Sequence, residues 1–313
     1  MRYKQWCEIA PRTEQQRRAY KLKIVKQNVV GTSMVILPFL GFLCFTLFPM
    51  LLSLALAFSH LQSALISEAT FDAGLKNFIY VIKDEYTWKA MRTTLVYSLT
   101  TFLNVAIAVF LASVMNRHIY GKKFYFVLFF LPQVCSSVAV AMMWRWVFAE
   151  NGVINAFRLV GDKQAIDFFT DANYYMLAIF VMSVWKNGTN IVILLSAFSA
   201  INKSLQEAAR LDGADEMHVF WNVTFPQLTP TIFYLITMNL IASLQEQALF
   251  QLINTSATGP NFWGLTLTYQ MYRLMNVNLQ YGLSCAMSWF IGIFILIVTK
   301  INFALSKKWV SYD

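Results

Sequence analysis

Charge is what this sequence is shortest of. Only 13% of its 313 residues are Asp, Glu, Lys or Arg, where a soluble domain carries about a quarter. It has three histidines and four cysteines. Cys7, Cys44, Cys135 and Cys285 form no C-x-x-C pair and have no histidine at ligand spacing, so neither a disulfide nor a metal site is expected. His60, His118 and His218 are isolated and read as ordinary loop or interface residues. A phosphate loop of the form G-x4-G-K-[ST] is missing, so any ATP used must bind another chain. No acids, histidines and nucleophile converge as a membrane enzyme would need.

What fills the chain instead is apolar. At 58% hydrophobic residues, it has more greasy side chain than one core can bury, which points to an integral membrane protein. The first apolar run, from about Val29 to Phe58, is too long for the core of a cleaved signal and no A-x-A site follows. About 20 apolar residues span a bilayer. Segments 30–58, 92–115, 124–148, 174–201, 228–253 and 281–305 meet that test, and none alternates as a strand would. The expected fold is therefore all-α, with six transmembrane helices.

Lys and Arg placement sets the orientation. With both termini inside, the segments 1–29, 116–123, 202–227 and 306–313, together with Lys300, hold 16 of them. The opposite segments hold 7, counting Arg92. An N-in, C-in arrangement follows, with a basic segment at 1–29 and a tail at 306–313 on either side of a 30–305 membrane domain. The basic excess, formal net charge +9, then marks topology and contact with anionic lipid, and needs no nucleic acid.

One inner loop breaks that rule. In 202–227 four acids (Glu207, Asp212, Asp215, Glu216) face two bases, Lys203 and Arg210. This stretch suits a basic protein surface better than lipid. Ser204 and Glu207 fit a capping box, which predicts a helix starting at Ser204. Leu205, Ala208 and Ala209 give that helix a small apolar face. Gly213 can end it in a left-handed turn, and Asp215 can cap a second helix with Met217, Phe220 and Trp221 on one side. Pro226 is expected to stop that second helix, and Pro230 to sit in the first turn of the next span.

The stretch EAARLDGADEMHVFWNVTFP also reads EAA-x3-G-x9-V-x-F-P. It closely resembles the EAA loop of ABC-importer permeases, EAA-x3-G-x9-I-x-L-P, with Val223 and Phe225 as conservative replacements. The likeness runs along nearly the whole chain. LPFLGFLCFTLFPMLLSLALAFS resembles the first span of sugar-permease subunits, and FDAGLKNFIYVIKDEYTWKAMRTTLVYS their next outer loop and second span. MMWRWVFAENGVIN, with Trp144, Gly152 and Asn155, ATGP at 257–260 and YGLSCA at 281–286 fall where similar motifs do. Asn202 stands where the family often has proline, and ATGP where it often has GGGP. The chain thus resembles the binding-protein-dependent, maltose-type carbohydrate importers of bacterial and archaeal cytoplasmic membranes.

That resemblance implies a type I importer permease fold whose EAA loop is a coupling helix docked on an ATPase subunit. Glu207, Ala208, Ala209, Asp212, Gly213 and Asp215 would form the docking element. It implies as partners a second, homologous permease in a heterodimer, two ATPases that bind ATP and Mg, and an extracytoplasmic sugar-binding protein. This chain itself would bind no cofactor.

Polar residues inside spans are costly and mark pathways or interhelical bonds. Ser183, Lys186, Asn187 and Asn190 repeat at helical spacing in the fourth span. Asn239, Ser243 and Glu246 do so in the fifth, and Gln133, Ser136 and Ser137 make a shorter stripe in the third. Facing one another, these stripes would offer hydrogen bonds to a hydroxylated solute; the alternative is interhelical glue. Lys186 lies about 12 residues into its span, about 18 Å deep, too far to snorkel. It is expected to face the pathway or pair with Glu246. Arg145, between Trp144 and Trp146, reads as a snorkelling residue in an aromatic belt. Two other readings stand beside an ATP-powered sugar importer: an ABC importer for a solute such as a polyol phosphate, and an ion-coupled secondary carrier. The carrier would call for inverted repeats and paired broken helices, and neither is evident in the sequence.

Overall fold

The computed structural model describes residues 14–117, 120–161, 164–254, 256 and 258–311. Residues 1–13 of the basic segment, with Cys7, as well as His118, Ala257 and the last two residues of the tail, lie outside that set. The regular structure of the described residues is helical, joined by turns and loops, apart from one isolated bridge between His60 and Thr70.

The chain divides into two compact units, 1–56 and 57–313. The first holds α1 (Glu14–Phe42), a π-helical turn at Leu43–Leu47, and most of α2 (Phe48–Ala57). Together they give a 34-residue apolar stretch, Ile24–Ala57, long enough to cross a bilayer.

The second unit opens with α3 (Lys76–Lys83), α4 (Glu85–Ser98) and α5 (Thr100–Asn116). Then come α6 (Lys122–Val134), α7 (Ser137–Phe148), α8 (Val153–Val160), α9 (Ala172–Trp185) and α10 (Gly188–Ala200). The chain continues through α11 (Lys203–Leu211), α12 (Glu216–Val219), a π turn at Phe220–Thr224, α13 (Phe225–Leu244) and α14 (Ala248–Ile253). It ends with α15 (Leu267–Asn276) and α16 (Tyr281–Ser306). Helix α5 packs along α10, and α13 packs against α4, α5, α10 and α16.

Four helical stretches are long and apolar enough to span a membrane, and six if each of two bent pairs counts as one span. In the three long stretches of the second unit only 28–44% of the most apolar window is buried. Most of that apolar surface faces outward, which suits lipid.

The bent pairs interrupt two of the six apolar segments read from the sequence. The third span breaks at Cys135–Ser136, both extended, and its two parts differ by 102°. The fourth breaks at Lys186–Asn187 with a bend of 44°. The fifth ends at Leu244 and resumes as the short α14. Hydropathy sums composition over a window and cannot register a two-residue break.

Proline 226 does not stop a helix either. Glu216–Leu244 is one continuous 29-residue helical stretch. The N–H of Phe225 bonds the carbonyl of Phe220, five residues back, and the wider π turn carries the chain into a proline that cannot donate. The same solution appears before Pro49, where the N–H of Phe48 bonds the carbonyl of Leu43. In both places the sequence is Phe-Pro.

Two core clusters in this unit bracket the region of interest. One gathers Tyr97, Phe148, Phe168, Phe169, Tyr175, Ile179, Met182 and Phe250. The other gathers Val105, Ala108, Ala112, Ile191, Leu194, Leu228, Ile232 and Leu235. Between Tyr97 and Val105 on α4 and α5, and between Met182 and Ile191 on α9 and α10, the packing gives way to polar side chains.

Candidate functional site

Two features stand out: a polar cavity at the helix breaks and an exposed acidic helix pair at one end of the unit.

The cavity has a volume of about 240 Å³. Seven of the ten polar residues read from the stripes line it: Gln133, Ser137, Ser183, Lys186, Asn239, Ser243 and Glu246. The three breaks explain why they meet. Gln133 and Ser137 flank the α6–α7 break, Lys186 is the residue at which α9 ends, and Glu246 lies in the gap between α13 and α14. Gly188 allows the close packing this requires: a Cβ there would sit 2.6 Å from the carbonyl oxygen of Phe129 on α6. Only glycine lets the start of α10 approach that backbone.

Asn187 and Asn190 do not line the cavity. Both are buried and tie helices together, the interhelical alternative. Asn187 Nδ2 donates to the Asn104 carbonyl at 2.6 Å, and Asn190 Nδ2 to Asn187 Oδ1 at 2.7 Å. Asn190 and Asn239 exchange amide hydrogen bonds at 3.2 and 2.9 Å. This lattice locks α10 to α5 and α13 beneath the cavity.

Lys186 and Glu246 share the cavity but do not form an ion pair. Lys186 Nζ donates to Ser137 Oγ at 3.2 Å. Glu246 Oε1 accepts the backbone N–H of Leu249 at 3.0 Å, capping α14. Its own carbonyl accepts Thr266 Oγ1 at 2.8 Å.

Tyr97, Thr100, Thr101 and Asn104 complete the polar part of the lining, and sequence reasoning missed all four; Val140, Met182, Ala242 and Leu249 add apolar surface. Thr101 Oγ1 and Ser243 Oγ lie 3.3 Å apart, while Asn104 Oδ1 has no hydrogen-bond partner among the described residues. The signal was there: Thr100, Thr101 and Asn104 fall at i, i+1 and i+4 on a single helical face.

At the loop end of the unit, α11 starts one step earlier than the capping box implied. Asn202 is the cap: its Oδ1 accepts from Ser204 N at 3.0 Å and from Ser204 Oγ at 2.9 Å. The helix ends in a Schellman motif, with Ala214 N bonded to Ala209 O at 3.0 Å and Gly213 N to Arg210 O at 3.1 Å. Gly213 takes φ +87°, and a Cβ there would meet nothing within 4 Å. Asp215 caps α12 as expected, its Oδ1 accepting from His218 N at 2.7 Å. That bond and a second to the His218 ring hold the Asp215 carboxyl below the usual carboxylate range.

Glu207, Ala208, Asp212, Gly213 and Asp215 are exposed, and Ala209 is half-buried. Leu211, 89% exposed, adds an apolar tip. Helix α11 is tied to the helical stretch behind it by Arg210–Glu216 at 3.0 Å and by Gln206 Nε2 donating to Thr224 Oγ1 at 3.2 Å. Met217, Phe220 and Trp221 share one side, as the spacing implied. They line an apolar groove of about 820 Å³ against Phe102–Arg117.

The motifs at the opposite end serve as latches. Buried Asn155 donates Nδ2 to the carbonyls of Ala149 and Ile166 at 2.9 and 2.7 Å and accepts Ile166 N at 2.9 Å, pinning the 164–166 strand of loop. Gly152 lies where a Cβ would be 2.3 Å from the Trp146 carbonyl. Trp144 stacks on Phe148 at 5.3 Å, while Arg145 is exposed beside it. Around Gly259 the turn is tight, with Asn261 and Phe262 both at positive φ and their carbonyls bonded by Arg92 and Thr93 at 3.0 Å each.

Comparison with known proteins bears on the family and the fold. Residues 104–310 match the family model described as "Binding-protein-dependent transport system inner membrane component". The "Probable ABC transporter permease protein YesP" of Bacillus subtilis (strain 168) is 34% identical over 296 residues, covering 93% of this chain and 94% of that protein. The "sn-glycerol-3-phosphate transport system permease protein UgpA" of Agrobacterium fabrum (strain C58 / ATCC 33970) is 30% identical over 244 residues, covering 76% and 82%. Among solved structures, a chain of a bacterial ABC transporter involved in the import of the acidic polysaccharide alginate has the same fold. It aligns with TM-score 0.79 at 22% identity, over 92% of this chain and 99% of that one. The chain belongs to the family of binding-protein-dependent transport system inner membrane components.

Proposed function

We propose that the chain is one permease of an ATP-powered importer that takes a carbohydrate into a bacterial or archaeal cell by alternating access. In this reading six spans cross the cytoplasmic membrane, with the bent α6–α7 and α9–α10 pairs each counted as one. Both termini and the 202–227 loop lie inside, as the Lys and Arg distribution favours.

The observation that carries the reading is the exposed acidic helix pair itself. Four acids and the Leu211 tip project on a rigid, Schellman-bent support. This shape and charge fit a basic cleft on a soluble partner, and the family places an ATPase there. Glu207 has no salt bridge within the described residues, so its charge is free for a basic residue across that interface. A second permease, a pair of ATPases carrying ATP and Mg, and an extracytoplasmic binding protein complete the assembly.

The mechanism follows from α13. The helical stretch leading into it is tied to α11 through Thr224 and Glu216, and its far end carries Asn239 and Ser243 into the cavity. Twenty residues of helix reach about 30 Å. Closure of the ATPase pair would tilt this rod and change access to the cavity. The hydroxyl and amide groups there would exchange hydrogen bonds with a hydroxylated solute along its path.

Charged residues at broken helices also suit an ion-coupled carrier. Proteoliposomes with the whole assembly decide between the two. Solute uptake that needs ATP hydrolysis and is lost in Glu207→Ala supports the importer. Uptake that follows an ion gradient without ATP overturns it.

A further inference from the structure

We infer that the group recognised in the cavity is an anion, a carboxylate or phosphate on the solute, and that Lys186 binds it. This rests on the cavity being the solute path, and it narrows the class of solute.

Lys186 lies about 18 Å into the membrane by helix rise, with its side chain half-buried. A cation at such a depth is costly unless something compensates it. An ammonium has three protons to donate, and one hydrogen bond is found, to the neutral hydroxyl of Ser137. The ion pairs among the described residues lie elsewhere, at Lys89–Glu85, Arg210–Glu216 and Asp215–His218.

The obvious partner is already engaged. Glu246 has one carboxylate oxygen on the Leu249 N–H, and its main chain is held by Thr266. The acid is thereby fixed at the start of α14, and Lys186, which lines the same cavity, is not within ion-pair distance of it. The remaining cavity groups nearest in kind, Gln133, Ser183, Asn239 and Thr101, are neutral hydrogen-bonding groups.

A solute bearing hydroxyls and one anionic substituent matches this set. The hydroxyls meet the neutral groups, and the anion supplies the contact partner that Lys186 lacks among the described residues. A neutral solute would leave the ammonium without an ion-pair contact while it displaces water from around it. Lysine acts as a point charge, so a carboxylate and a phosphate fit equally well.

The test uses the complete transporter in proteoliposomes with its binding protein and ATP. The probes are a uronate-bearing trisaccharide, the same trisaccharide with its carboxylates reduced to alcohols, and glycerol phosphate. The wild-type assembly should move one anionic probe about tenfold or more faster than the reduced trisaccharide. Which anion is moved separates uronate from phosphate. Lys186→Gln should lose that preference, and Lys186→Arg, which keeps the charge and controls for folding, should retain most of it.

Preference for the reduced trisaccharide would overturn the inference. So would an anion preference that survives in Lys186→Gln, or transport restored when Lys186→Glu and Glu246→Lys are combined, since the lysine's partner would then be Glu246. ATP-driven uptake of none of the three probes would also overturn this inference, whereas the importer reading falls only to uptake that follows an ion gradient without ATP.

Discussion

Gly213 is the sharpest place to perturb the account. Its φ of +87° is a left-handed conformation, and its missing Cβ would meet no atom within 4 Å. A substitution there meets no steric clash and costs only the backbone preference, about 1–2 kcal/mol for an ordinary L-residue. That penalty falls on the bend between α11 and α12, where the Schellman bonds at Gly213 and Ala214 close the helix. If the ATPase recognises only the bent pair, its apparent affinity should fall about 5- to 30-fold in Gly213→Ala. Asparagine tolerates this region better than alanine, and a β-branched residue worse. The expected order of binding is therefore Gly, Asn, Ala, Val. Titration of the purified ATPase subunit onto membranes holding each variant gives the affinities. Equal weakening by Asn and Val would refute the backbone argument, and undiminished binding by Val would refute the bend as a recognition element.

Three further substitutions separate what holds the site from what decorates it. Gly188→Ala places a Cβ 2.6 Å from the Phe129 carbonyl, and overpacking against backbone should destabilise the permease by about 1–3 kcal/mol, read as a lower Tm of the solubilised assembly. Asn190→Ala removes the bonds to Asn187 and Asn239; at about 0.6 kcal/mol for each interhelical bond it should cost about 1–2 kcal/mol and lower transport of every probe equally, without changing selectivity. Arg210→Ala breaks an exposed pair with Glu216 whose side chains are 48% and 62% accessible. Loss of under about 1 kcal/mol is expected, with ATPase binding near that of wild type.

The acidic loop was legible because its physics is local. A glycine after an amphipathic turn, an aspartate before the next one and a surplus of acids each act within a few residues, and the Schellman bend and the Asp215 cap follow. Asn202 displaced Ser204 as the cap because both are good capping residues two positions apart, and spacing alone does not rank them; Asn202 Oδ1 takes both the N–H and the hydroxyl of Ser204. The cavity was legible in part. Stripes at helical spacing named the residues, but whether a stripe faces a cavity or another helix depends on rotation, which sequence does not fix. Hence Ser183 and Lys186 reached the cavity while Asn187 and Asn190 turned to bonding helices. Thr100, Thr101 and Asn104 were passed over because hydroxyls within a span usually satisfy themselves on a preceding carbonyl, as Thr100 does on Tyr97 at 2.7 Å. The breaks at Cys135–Ser136 and Lys186–Asn187 needed the packing itself, since Gly188 shows its purpose only when the Phe129 backbone lies against it.

The central claim is that an acidic helix pair on this chain couples ATP hydrolysis elsewhere to passage through its polar cavity. Site-directed crosslinking tests it most directly. Ala208→Cys, exposed on α11, should form an ATP-sensitive crosslink with a cysteine placed in the basic cleft of the ATPase, and the crosslink should halt solute uptake into proteoliposomes. Uptake that continues unimpaired while the crosslink is complete, or an α11 cysteine that reacts only from the extracytoplasmic side, would contradict the account.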